Sequence, residues 1–141
     1  MTTTTVRPAA AVSRTTHVSL WAVQVLLAAF FGMAGATKLS QPMSALIQQF
    51  HWPAAVPEPL VRFNGLSELL GAIGLILPGL TRIKPGLTAL AAAGLAVVMV
   101  LASLFHVSRG EFAVLPLPLV LGALAAWVAW GRWKKAPIAP R

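Results

Sequence analysis

The sequence predicts an all-α integral membrane protein, a four-helix bundle with a short amphipathic interfacial helix between spans one and two. Three observations predict it. Of the 141 residues, 57% are hydrophobic and only 10% charged, where soluble chains carry about a quarter charged residues, and the mean hydropathy is +0.79. Four apolar stretches, each near the roughly 20 residues that a bilayer crossing needs, occupy nearly the whole chain. The basic residues between them fall alternately on a rich and a poor side, as positive-inside topology requires.

Residues 1–16, rich in Thr with Ala, Arg and Pro and without periodicity, are expected to form a disordered cytoplasmic tail. The bundle itself is expected over 17–133, with a basic cytoplasmic tail at 134–141. Span one covers about 18–39, VSLWAVQVLLAAFFGMAGATKL, too long for a signal peptide and followed by further spans. Beyond Pro42, residues Met43, Leu46, Ile47 and Phe50 recur at helical spacing with Gln48 and Gln49 off the stripe. That pattern predicts an amphipathic helix too short to cross, lying in the interface with Trp52 as its anchor. Pro53, Pro57 and Pro59 then interrupt it.

Span two is expected at about 60–77, stopped by Pro78-Gly79. Span three is expected at about 85–106, opened by Pro85, and span four at about 112–130, with Pro116 and Pro118 disturbing its first turns. Arg7, Arg14, Arg82, Lys84, Arg132, Lys134, Lys135 and Arg141 share one side of this topology, and Lys38, Arg62 and Arg109 the other. Both termini are therefore expected in the cytoplasm, the chain being read as integral to a bacterial inner membrane. The net charge of +8 reflects topology and lipid contact here, and no nucleic-acid partner is expected. The basic GRWKK segment needs no partner beyond anionic lipid.

The same topology places Lys38, Arg62, Asn64, Glu68 and His106 in the outward half, and with them all the unusual polar groups. Asn64 and Glu68 lie one turn apart on one helix face, and Glu68 sits roughly 9 Å of helix rise beyond Arg62. A carboxylate at that depth needs a partner, for which Lys38 and Arg62 are both in reach, and an intramembrane ionisable group marks a candidate site. Three readings stand side by side: a structural pair locking span one to span two, a ligand or redox-partner site, and a proton or ion path. His106 either bonds Glu68, sits beside a quinone oxygen, or marks the interface. His17 and His51 lie too far apart along the chain plan to complete a metal site with it, and none is expected.

Ala28, Gly32 and Ala36, with Gly35 adjacent to the set, make a small-residue seam on span one, suited to internal packing or to a homodimer. The tryptophans near the ends of spans one and four read as interfacial belt residues. There is no cysteine, which removes disulfide relays and iron-sulfur ligation by this chain. No phosphate-cradling loop, nucleophile elbow or HExxH motif is present either.

The stretches LLAAFFGMAGATKL and RFNGLSELLGAIGLILP, with Met99, Ala102 and His106 closing span three, resemble the DoxX and DoxX-like family of small four-helix membrane proteins. The resemblance covers about two thirds of the chain and falls on Lys38, Arg62, Gly65, Glu68 and His106. It implies a small membrane subunit of a thiosulfate:quinone oxidoreductase, a partner of superoxide dismutase and a sulfurtransferase in a membrane oxidoreductase complex, or a receptor-assembly chaperone. The expectation carried forward is a small membrane subunit or accessory protein of a quinone-linked oxidoreductase system. Glu68 and His106 are its proton-exchanging candidates, quinone its candidate cofactor, and a membrane or redox protein its partner. A structural or assembly factor for other membrane proteins is the alternative, and a small-solute transporter the weaker one.

Overall fold

A computed structural model describes residues 11–141 of the chain. It is all-α among the described residues, with five helices: α1 (Arg14–Ser40), α2 (Met43–Phe50), α3 (Glu58–Thr81), α4 (Gly86–Ser108) and α5 (Pro116–Trp130). Short 3-10 turns occupy Trp52–Ala55 and Phe112–Val114, and α5 continues into a π turn at Gly131–Lys135. By length and composition α1, α3 and α4 are each able to cross a membrane.

Several boundaries differ from expectation. Residues 1–10 of the expected disordered tail lie outside the described residues, but Arg14, Thr15 and Thr16 belong to α1. The Ser19 hydroxyl donates to Thr15 O (2.8 Å) and the His17 N–H to Ser13 O (3.1 Å), so the first turn is closed from within. Helix α3 does not stop at Pro78-Gly79 but runs through Thr81 and ends where Arg82 turns left-handed at φ 59°. Pro78 removes one N–H donor, yet its own φ is helical, and membrane helices tolerate that loss when neighbours pack around it. Gly79 supplies the packing: a Cβ there would lie 2.8 Å from Ile138 Cδ1 and 3.2 Å from Trp21 Cη2. Span four is expected from about 112, but Phe112–Val114 is a 3-10 turn and α5 itself starts at Pro116. Pro116 and Pro118 occupy its first turn, where the missing N–H groups have no intrahelical partner in any case.

Connected helices run antiparallel. Helix α1 packs on α3, α3 on α4, α4 on α5, and α5 returns to α1. Leu20, Leu27, Phe31, Leu75, Leu95 and Val128 form the shared interior, while Leu26, Met33, Leu70, Leu90 and Leu101 face outward. With apolar groups on both sides of each helix, close packing rather than hydrophobic burial holds such helices together. The tightest crossing is α1 on α3. A Cβ on Gly35 would stand 2.6 Å from Gly65 O and 2.7 Å from Leu69 N, distances that only displacement of backbone would relieve. Of the small residues expected at this seam, Gly35 makes the close crossing, Ala28 and Gly32 pack beside it, and Ala36 is exposed; the buried stripe of α1 is Leu20, Gln24, Leu27, Phe31, Gly35 and Lys38.

Candidate functional site

The α1 stripe ends in Lys38, and the α3 stripe holds Val61, Gly65, Glu68, Ala72 and Leu75. Once Gly35 and Gly65 bring the two backbones together, Lys38 passes over Gly65, whose added Cβ would meet Lys38 Cβ at 2.7 Å. The ammonium then reaches Glu68, donating to Oε2 at 2.6 Å. Both groups are buried, Lys38 at 5% and Glu68 at 3% exposure. Of the two partners in reach of Glu68, the structure selects Lys38.

A roof covers the pair. The Phe50 ring at the end of α2 and the Trp52 ring in the following turn lie 5.3 and 5.9 Å from Lys38 Nζ, within cation–π range. Trp52 meets Phe105 edge-on at 6.3 Å. The residue expected to anchor an interfacial helix is therefore half-buried over the ion pair, because the positive φ of His51 (63°) turns the chain sharply after α2.

Arg62 lies beside the pair rather than in it. Its Nε and Nη2 donate to Glu58 Oε1 at 3.1 and 2.7 Å. Its Nη1 donates to Lys38 O and Gln41 O, so one guanidinium satisfies carbonyls left open at the end of α1. Asn64 sits one turn before Glu68, and its Oδ1 is buried without a hydrogen-bond partner. His106 does not bond Glu68. It donates Nδ1–H to Glu111 Oε2 at 2.6 Å, and Arg109 Nε donates to Glu111 Oε1 at 2.7 Å. These two hydrogen bonds, His106 first, hold the Glu111 carboxyl below its ordinary range. The structure thus joins Lys38 and Glu68 directly and Arg62 through a backbone oxygen. His106 connects only by way of Phe105, the ring neighbour of Trp52.

Sequence reasoning missed Glu58 and Glu111. The i,i+4 spacing of Glu58 and Arg62 was a readable signal, as was the local run His106, Arg109, Glu111. It also missed a second polar cluster at the opposite end. Gln24, fully buried, donates Nε2–H to Leu75 O at 2.6 Å and accepts from Arg132 Nε. Arg132, 4% exposed, has Nη1 at 3.2 Å from Ala136 O and 3.1 Å from His17 Nδ1. Trp21 Nε1–H points at His17 Nε2 (3.2 Å), and the Arg132 guanidinium lies 5.2 Å from the Trp21 ring. Two expectations are corrected. The unusual polar groups do not all lie in one half, since Gln24 faces inward on α1. Arg132 does not stand in an open basic segment, because the π turn after α5 swings it back onto α1, against Gln24 and the Trp21 ring.

Chemically, the Lys38 ammonium has three N–H donors and uses one on Glu68, with the unpartnered Asn64 oxygen on the same α3 face. That set can bind and orient a small polar headgroup and exchange a proton with it. No side chain in it transfers an electron. A separate apolar groove of about 460 Å³ lies between α4 and α5, lined by Met99, Ser103, Val107, Pro118 and Gly122 and by none of the residues of the Lys38–Glu68 site.

A family model described as the DoxX-like family matches residues 22–128, a span that holds Lys38, Arg62, Asn64, Glu68 and His106 and ends before Arg132. No curated protein and no solved structure matches the chain. With three helices able to cross a membrane and a family match over most of its length, this chain is a membrane protein and belongs to the DoxX-like family.

Proposed function

We propose that the protein is a small accessory subunit of a quinone-linked oxidoreductase system, binding a quinone headgroup at the Lys38–Glu68 site while a partner carries the electrons. The observation that carries this reading is the buried pair with hydrogen-bonding capacity left over: donors on Lys38, a free acceptor on Asn64, and flat aromatic rings above them. A quinone offers two carbonyl acceptors to the Lys38 donors and a planar ring to the aromatic roof, its hydroquinone form an O–H donor to the Asn64 oxygen, and pockets for such ligands combine apolar walls with a few placed polar groups. Glu68 is the group placed to exchange a proton on reduction, with His106 the second candidate at the same end. In this reading α5 and its π turn make a fourth crossing and α2 lies in the interface as the lid of the site. Both termini are cytoplasmic in a bacterial inner membrane.

The test is quinone extraction and native mass spectrometry of protein released from its own membrane. About one quinone per chain is expected, and Lys38→Met/Glu68→Leu should fold and lose it. Protein free of quinone, together with unchanged quinone reduction by membranes of a deletion strain, overturns the reading. A second reading, an assembly factor for other membrane proteins, draws on the closed geometry of the pair, in which each charge already neutralises the other. It predicts a stoichiometric membrane client instead of a small ligand.

A further inference from the structure

At the Arg132 end, hydrogen-bond donors outnumber acceptors and positive charge has no carboxylate side chain to meet. Arg132 is 4% exposed, yet among the described residues its partners are neutral, Gln24 Oε1, Ala136 O and His17 Nδ1, and its Nη2 has none. His17 cannot serve both its neighbours. A neutral imidazole has one acceptor nitrogen, while Trp21 Nε1–H and Arg132 Nη1–H approach one ring nitrogen each. One of those donors is left without an acceptor. Antiparallel packing puts Arg14, Arg82, Lys84, Lys134 and Lys135 at this same end, whereas Glu58, Glu68 and Glu111 all lie at the other. A buried guanidinium without a counter-charge is strongly unfavourable.

A cavity of about 370 Å³ opens beside these groups, lined by His17, Trp21, Gly79, Arg82, Pro137 and Ile138. Its far wall is the C-terminal segment, held by Arg82, which donates to Ala139 O (2.9 Å) and Pro140 O (3.1 Å) and accepts from the Arg141 N–H (3.1 Å). Arg132 stands directly behind His17 and Trp21. We propose that this cavity binds a phosphate-bearing anion, with His17 and Arg82 as its wall and Arg132 as the buried charge behind them. A phosphate supplies several strong acceptor oxygens and the missing negative charge, and arginine recognises it well. A phospholipid headgroup and free phosphate share that chemistry. The site is at the opposite end from Lys38 and Glu68 and stands independently of quinone binding.

The experiment is native mass spectrometry of the full chain, delipidated in a neutral detergent and titrated separately with inorganic phosphate, phosphatidylglycerol and phosphate-free diacylglycerol. One saturable phosphate or phosphatidylglycerol per chain is expected, with diacylglycerol not retained. His17→Ala/Arg82→Gln should weaken binding about tenfold or more, the scale of a lost charge-assisted hydrogen bond. Lys134→Gln/Lys135→Gln, at two exposed residues that do not line the cavity, should bind as the unsubstituted chain does. Saturation by phosphate alone identifies a soluble anion, and saturation only by phosphatidylglycerol a lipid headgroup. Arg132→Gln removes the buried charge and should weaken binding as well; where it does not fold, His17→Ala, which leaves the Gln24–Arg132 bond in place, serves instead. The proposal is overturned if neither phosphate source exceeds diacylglycerol, if the cavity substitutions leave binding unchanged, or if the two surface lysines matter as much.

Discussion

Lys38, Arg62 and Arg109 each lie against a carboxylate, from Glu68, Glu58 and Glu111, at one end of the helices. At the opposite end Arg132 and Arg82 reach only neutral oxygens and an imidazole. The two ends therefore hold their cations, Lys38 and Arg132 being the buried ones, by different means, one by internal pairing and the other by amide and carbonyl dipoles. A pair is strong only while both members are present, whereas a dipole cage loses less when one member goes but leaves net charge behind.

The largest effect that follows is at Glu68. Glu68→Ala strands the Lys38 ammonium in the interior and should cost about 3–5 kcal/mol, read as loss of stability in a reversible detergent-unfolding titration. The double substitution Lys38→Met/Glu68→Leu removes both charges and should recover most of that loss. If the double variant is as unstable as the single one, the pair is not the unit of stability and the contrast between the ends fails. Gln24→Leu should cost less, about 1–3 kcal/mol, the range for leaving a buried polar group unsatisfied. A loss as large as that of Glu68→Ala would mean that Gln24 does the work of a counter-charge.

The smallest effect is at Glu111 and appears as a pH dependence. Its carboxyl is held below the ordinary range by the His106 and Arg109 hydrogen bonds, so the folded-state value lies below the unfolded one. Its contribution is then complete above the unfolded value of about 4.3 and is lost as pH falls through the lower folded value. Melting temperatures from about pH 6 to about pH 3 should fall less steeply for Glu111→Gln than for the unsubstituted chain. Equal slopes would show that His106 and Arg109 hold the carboxylate no better than water does.

Hydropathy and helix-face spacing were enough to read the membrane character, the need of Glu68 for a basic partner and the amphipathic stretch at 43–50, because each depends on period and depth alone. The choice of Lys38 over Arg62 was not legible, since it is made by the close approach at Gly35 and Gly65. The orientation of His106 was not legible. It is set by the turn after α4 that returns Glu111, where local geometry outweighs depth. Arg132 was misread for a related reason: a run of basic residues after a span looks solvated, and nothing local reveals that the helix opens into a π turn and carries one of them inward. Gln24 could have been noticed as the lone amide in the middle of an apolar run, the cost of which demands a partner. Pro78 was over-weighted, since its stop signal yields once Gly79 has Trp21 and Ile138 to pack against.

The crossing of Lys38 over Gly65 also bears on how the chain is built into a membrane. Synthesis proceeds from the N-terminus, so α1 arrives with Lys38 thirty residues before Glu68 exists to receive it. Until then its long side chain can only snorkel toward water. Insertion of α3 draws the ammonium inward beneath α2, which makes the α1–α3 hairpin, rather than any single helix, the smallest segment able to settle with its charge neutralised. The passage rests on one glycine: a Cβ at Gly65 would stand 2.7 Å from Lys38 Cβ and obstruct the lysine's route to its partner.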